Sequence, residues 1–135
     1  MFELILAPRF YETDAFGHIN NTTVAGWFET GRAPLFQMFS TGSDAASLPL
    51  ILARIEIDFV TQLYYGADVL LRTGIGDIGN SSFVVLQQAW QNGVLAARGR
   101  AVQVYFDHQK QASQPLTESL RGQLACHLIH NDERK

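Results

Sequence analysis

A single change of hydrophobic period governs what this chain can fold into. Val24, Trp27, Phe28, Gly31, Leu35 and Met38 recur at the three- and four-residue spacing that lines up one stripe of a helix. From Ile51 onward the period becomes two: Ile55, Ile57 and Phe59 alternate with Arg54, Glu56 and Asp58, the pattern of a strand with one buried face. Three further strand-like runs follow, Asp68 to Asp77, Ser81 to Gln91 and Val94 to Asp107, separated by Gly79-Asn80 and by Asn92-Gly93. Asn-Gly between two such runs signals a type I′ hairpin, because both residues tolerate positive φ. One early helix followed by successive antiparallel strands predicts an α+β domain whose helix covers one face of the sheet.

The ends of the elements are marked less sharply. Phe2 to Phe10 reads as a first strand that stops near Pro8, and Asn20 or Asn21 is a good N-cap for the helix. Pro34 falls inside the helical stripe, where it removes one hydrogen bond and clashes with the preceding turn at a cost of about 3 kcal/mol, which predicts a kink or break between Gly31 and Pro34. Past Pro115 the spacing predicts a short helix from about Thr117, with Leu120, Leu124 and Leu128 on one side. Cys126 then reads as a small core or interface residue, His127, His130 and Asp132 as solvated groups at the helix end, and residues Asn131 to Lys135 as a frayed tail.

Composition sets the outer limits. With 135 residues, 47% hydrophobic and 17% charged, the chain suits one domain over residues 1–135 with a real core. A net charge of −3 supplies no basic field for a nucleic-acid backbone, so no nucleic-acid partner is expected. The lone Cys126 leaves no intrachain disulfide and no thiol cluster, which fits a reducing compartment, and the cytoplasm is the default. The N-terminus carries Glu3 and too short an apolar run for a signal peptide or span, so no membrane partner is expected either.

Chemistry concentrates just before the helix. Asp14, His18, Asn20 and Asn21 bring a carboxylate, an imidazole and two carboxamides to a helix start, where unpaired N–H groups and a partial positive charge stabilise developing anionic charge. Gly17 supplies a turn conformation that other residues resist. The N–H of Asn21 or of Thr22 is a candidate oxyanion donor by position. Asp14 taken alone is as readily an Asx-turn residue, His18 a packing residue, and Asn20 and Asn21 plain caps. Ser81 and Ser82 have no nucleophile elbow around them. Arg98 and Arg100 share one side of a strand, where they meet either phosphates or neighbouring carboxylates.

Asp14-Ala-Phe-Gly17-His18-Ile-Asn20-Asn21, followed by Trp27-Phe-Glu29-Thr-Gly-Arg32, resembles the D-x-x-G-H-x-N-N signature of hotdog-fold acyl-CoA thioesterases of the 4-hydroxybenzoyl-CoA thioesterase type. Ile55-Glu-Ile-Asp-Phe59 is similar to the family's strand after the helix, and Ile78-Gly-Asn-Ser-Ser-Phe83 to a turn and strand lining its acyl site. The resemblance implies a curved antiparallel sheet wrapped around a central helix, a homodimer or homotetramer, an acyl-CoA substrate, and Asp14 as the catalytic carboxylate with His18, Asn20 and Asn21 beside it. It further implies Ser81, Ser82 and Phe83 near substrate; Gly17 and Thr22 are substrate-site candidates by position, Arg98 and Arg100 by strand period with an exposed salt-bridging face the preferred reading, and no cofactor and no metal are expected. At Asn21 the chain departs from the aryl-specific branches, so an aromatic substrate is not carried over.

Such a site suits a thioester, whose thiol leaving group has a pKa of about 8.5 and departs without strong acid assistance. Asp14 can activate water or attack the carbonyl itself, and the sequence does not choose. Hydrolysis of an acyl carrier protein thioester, a non-catalytic acyl-CoA binding module, and a hydratase are the competing readings.

Overall fold

The computed structural model describes residues 1–40 and 48–129. Its elements are β1 (Phe2–Leu6), a 3₁₀ turn (Phe10–Glu12), α1 (Asn21–Gln37), β2 (Leu50–Phe59), β3 (Val69–Ile78), β4 (Ser82–Gln91), β5 (Val94–Asp107), the two-residue β6 (Ala112–Ser113) and α2 (Glu118–Ala125). The strands form one antiparallel sheet in the order β1-β3-β4-β5-β2, with β6 on the end of β5. Register slips between Leu52 and Arg54, Ile75 and Ile78, and Ala89 and Trp90 bend the strands, as bulges do. The result is the expected α+β hotdog architecture, a curved sheet with α1 against its inner face.

The β4–β5 hairpin turns at Asn92 and Gly93, whose φ angles of 52° and 75° are those of a type I′ turn. Period two then sorts the side chains. Phe83, Val85, Gln87 and Ala89 of β4 and Ala97, Gly99 and Ala101 of β5 are all buried toward α1. Two apolar clusters result. One gathers Val24, Trp27, Phe28, Leu63, Val69 and Leu71; the other gathers Leu35, Phe39, Ile75, Phe83, Leu120 and Leu124, with the Phe39 and Phe83 rings stacked at 5.4 Å.

A polar belt lies between them. Gln87 Nε2 donates to the Phe28 carbonyl at 2.8 Å and to Thr73 Oγ1 at 3.1 Å, while its Oε1 accepts from Arg32 Nη1 at 3.1 Å. Arg32 is 2% exposed, and burial holds its pKa below the ordinary arginine value, with Glu29 opposing the shift. Only glycine allows so close a seating: a Cβ at Gly31 would stand 2.9 Å from Gln87 Nε2, and one at Gly99 2.9 Å from the Phe28 ring.

Several sequence expectations need correction. The first strand stops at Leu6 and gives way to the 3₁₀ turn at Phe10. Helix α1 runs through Pro34 without a break; the proline forgoes one hydrogen bond, and buried Leu35 and Phe39 hold the last turns in place. Strand β2 buries its apolar face only in part: Leu50 joins the core and Ile57 packs against it, while Leu52, Ile55 and Phe59 are 44%, 40% and 53% exposed at the sheet edge, where α1 does not reach. Leu128 is exposed beyond the end of α2, and Cys126 is exposed rather than part of the core. His127 is half-buried against Phe2, ring centroids 4.2 Å apart, and burial followed by the nearby N-terminal amine lowers its pKa. His130, Asp132 and the tail lie outside the described residues.

Two glycines separate close packing from open space. Gly99→Val should destabilise the fold by roughly 1–3 kcal/mol through overpacking against Phe28. Gly122→Ala, in the exposed middle of α2 with nothing within 4 Å of the new Cβ, should stabilise it by up to about 1 kcal/mol. Urea unfolding of both variants checks the opposite signs.

Candidate active site

The loop between the 3₁₀ turn and α1 closes on itself. Thr13 bridges Ile19, Asp14 N–H donates to the His18 carbonyl at 2.7 Å, and Gly17 N–H to the Asp14 carbonyl at 3.2 Å. Gly17 sits at φ 80°, the left-handed conformation expected of it. Asp14 Oδ1 accepts the N–H of Phe16 at 2.8 Å and of His18 at 3.2 Å. The Asx turn is therefore present. It fixes the carboxylate through one oxygen and, among the described residues, leaves Oδ2 without a hydrogen bond.

Glu12 anchors this loop to the helix. Its Oε1 accepts from Arg9 N–H at 2.6 Å, its Oε2 from Trp27 Nε1 at 3.0 Å, and its carbonyl from Asn20 N–H at 2.8 Å. Sequence reasoning missed this role. The available signal was an acid directly before Thr13-Asp14 together with an indole N–H on the buried stripe, which needs an acceptor.

Asn20 is the N-cap, and its Oδ1 takes both the N–H of Thr22 at 2.9 Å and the Thr22 hydroxyl at 2.8 Å. Of the two candidate oxyanion donors, Thr22 N–H is thus occupied, whereas Asn21 N–H has no acceptor among the described residues. Asp14, Asn20, Asn21 and Val24 line a groove of about 640 Å³ whose far wall is Phe59 to Leu63. The positive end of α1 and the Asp14 side of the loop belong to one concavity.

Other candidates lie elsewhere. The His18 ring packs edge-on against Tyr64 at 5.2 Å and is not part of the groove lining. Ser81, Ser82 and Phe83 sit at the Phe39 end of the sheet, a helix length of about 26 Å from Asn21. Phe83 is 1% exposed, closed off within its own chain. Arg98 and Arg100 alternate with Ala97, Gly99 and Ala101, so they point to the outer face of the sheet, away from α1. Among the described residues, no three His, Cys, Asp or Glu side chains gather as metal ligands, and no helix is long and apolar enough to cross a membrane.

Comparisons with known proteins bear on this geometry. Residues 8–124 match the thioesterase-like superfamily. A predicted thioesterase from Bacillus stearothermophilus is 40% identical with a TM-score of 0.91, the alignment covering 96% of this chain and 97% of that one. A Thermus thermophilus thioesterase solved with coenzyme A and Zn is 26% identical, with a TM-score of 0.81 over 90% and 95% of the two chains. A 1,4-dihydroxy-2-naphthoyl-CoA thioesterase from Synechocystis, 18% identical with a TM-score of 0.79 over 96% and 98%, shares the fold. The uncharacterized protein YsmA of Bacillus subtilis is 29% identical over 80 residues, which is 59% of this chain and about half, 54%, of that protein's length.

Loss of the cap should register as stability. Asn20→Ala removes the acceptor of two Thr22 donors at the start of α1 and should cost about 1 kcal/mol in denaturant unfolding, while Asn20→Asp, which keeps a capping oxygen, should cost far less.

Proposed function

The chain belongs to the thioesterase-like superfamily, and we propose that it hydrolyses the thioester of an acyl-CoA to a free acid and coenzyme A in the groove between Asp14 and the start of α1. The observation that carries this reading is the pairing of an Asx-held carboxylate, free at Oδ2, with the unengaged N–H of Asn21 on one groove. A carbonyl carbon placed between them would have base or nucleophile on one side and a hydrogen-bond donor for its oxygen on the other. The Thermus thioesterase, solved with coenzyme A, supports that choice of carrier over an acyl carrier protein.

In this reading Asp14 either deprotonates the attacking water or forms an acyl anhydride that water then cleaves. The thiolate leaves in either case and takes up a proton from solvent. Asn20 acts as the cap that directs Asn21 N–H, Gly17 as the pivot of the loop, and His18 as a packing partner that donates its backbone N–H to the carboxylate. Thr22 shapes the helix start. A cytoplasmic location accords with the lone cysteine.

The reading includes a dimer. Strand β2 is a ten-residue edge with Leu52, Ile55 and Phe59 uncovered at the margin of the sheet, beyond the reach of α1. Such an edge templates aggregation unless another chain pairs with it. A second copy paired antiparallel along β2 would bring the Phe59 end of one protomer beside the Leu50 end of the other. The wall of the Asp14 groove would then approach the neighbour's Tyr105 end, where Leu50 pairs with Tyr105 and Ser82 with Val104. Ser81 and Ser82 would then serve the site across the interface, with Phe83 kept in its own protomer's core, and a tetramer would pair two such dimers.

Three measurements test these roles. Asp14→Asn keeps an oxygen for the Phe16 and His18 N–H groups, so it should fold and bind acyl-CoA yet lose about a hundredfold or more in turnover, read by free-thiol release; near wild-type turnover would remove Asp14 from the mechanism. Asn21→Pro places proline at the first helical position, behind an Asn20 already at ψ 136° as a pre-proline residue requires. Turnover should fall by about a hundredfold with the helix retained by circular dichroism, whereas Asn21→Ala, which keeps the N–H, should stay near wild type. Sedimentation should give a dimer or tetramer, and a fully active monomer would refute the shared site.

A further inference from the structure

The outer face of the sheet, opposite α1, carries an unusual row of charge. Cross-strand pairing sets Asp58, Arg98, Gln88, Arg72 and Glu3 side by side across five strands, with Glu56 and Arg100 as the adjoining pair. Arg72, Arg98 and Arg100 line one groove of about 240 Å³ together with Glu56, Asp58 and Gln88.

The carboxylates do not engage these arginines closely. Arg98 stands 3.9 Å from Asp58, Arg100 3.9 Å from Glu56, and Arg72 Nε 3.5 Å from Glu3. Glu56 is held instead by Arg54 at 2.8 Å. Charge-assisted N–H···O bonds close to about 2.7–2.9 Å, so these are long-range attractions rather than hydrogen bonds. None of the three guanidinium groups donates a hydrogen bond to another described residue, and Arg72 Nε is buried, with Glu3 as its ion-pair partner but without a hydrogen bond. Three guanidinium groups, each held by one long ion pair and by no hydrogen bond to a described residue, therefore line one concavity together with Leu86 and Gly99.

We propose that this groove is a phosphate-binding site, taking a phosphomonoester or pyrophosphate of the kind nucleotides carry. Guanidinium forks match phosphate oxygens bidentately, and an incoming dianion would complete donors that the flanking carboxylates leave open. The site lies across the sheet from the Asp14 groove and does not depend on hydrolysis there. Its anion comes either from the nucleotide part of a bound acyl-CoA or from a free phosphate ligand.

Calorimetric titration at low salt with pyrophosphate and with adenosine 3′,5′-bisphosphate tests it on the full chain. Saturable binding is expected, weakened at least about tenfold in Arg98→Gln/Arg100→Gln and in Arg72→Gln but not in Lys110→Gln, an exposed charge outside the groove. Absence of saturable binding, or binding indifferent to the arginine variants, overturns the site. Kinetics then identify the source. A rise in KM of Arg98→Gln/Arg100→Gln for acyl-CoA but not for acyl-pantetheine assigns the anion to the substrate, and unchanged KM for both assigns it to a free ligand. A protein that binds the bisphosphate through these arginines yet cleaves no thioester would keep this site while refuting the proposed hydrolysis.

Discussion

Everything at the candidate site hangs on how closely α1 seats on the sheet. Gly99 lets the Phe28 ring lie on β5, and Gly31 lets the helix come down on Gln87 and Thr73 of the neighbouring strands. Gln87 then bonds the helix backbone at Phe28 and the Arg32 side chain together, so the helix is fixed along its axis as well as in height. A purely apolar seat would tolerate sliding by a fraction of a turn. Directional hydrogen bonds in a buried belt do not, because each displaced donor or acceptor there costs its full desolvation. The helix start, and with it Asn21 N–H, inherits that register.

Strand and helix identities were legible because period and turn chemistry agreed. Val94 to Asp107 was found with its observed limits, and Asn92-Gly93 adopts the positive φ angles that its residue types favour. Gln87 and Gln91 showed a weaker signal, since period two sets them on the same face as Phe83, Val85 and Ala89, where a polar side chain must find partners. The incomplete covering of β2 has a different origin. Alternation reports which residues share a face, not whether anything covers that face, and the edge position of β2 is a property of topology that no local window contains.

The loop was readable in its members but not in its wiring. Asp14, Gly17, Asn20 and Asn21 share one loop and helix start, yet two facts needed coordinates: one Asp14 oxygen is committed to backbone N–H groups, and the Asn20 carboxamide closes off Thr22 N–H. Both narrow the chemistry, the first by orienting the carboxylate and the second by leaving Asn21 as the open donor. Glu12 and Trp27 meet only because the 3₁₀ turn folds back on the helix, a contact spanning 15 positions that neither residue's neighbours announce.

Uncovered apolar surface on β2 and the position of the groove have one common root. The groove wall from Phe59 to Leu63 continues directly from the end of that strand, so whatever chain covers Leu52, Ile55 and Phe59 also bounds the space in front of Asn21. A single protomer presents this space as an open concavity of about 640 Å³, wide for a reaction in which water must be admitted singly and charge stabilised by few donors. Closing it with a second copy would lower the local dielectric around the Asn21 N–H and strengthen its interaction with an oxyanion, without adding any new catalytic group. Burial of the edge and sharpening of the site would then be one event, which gives a physical reason for so apolar a strand to keep its outer edge open within its own chain.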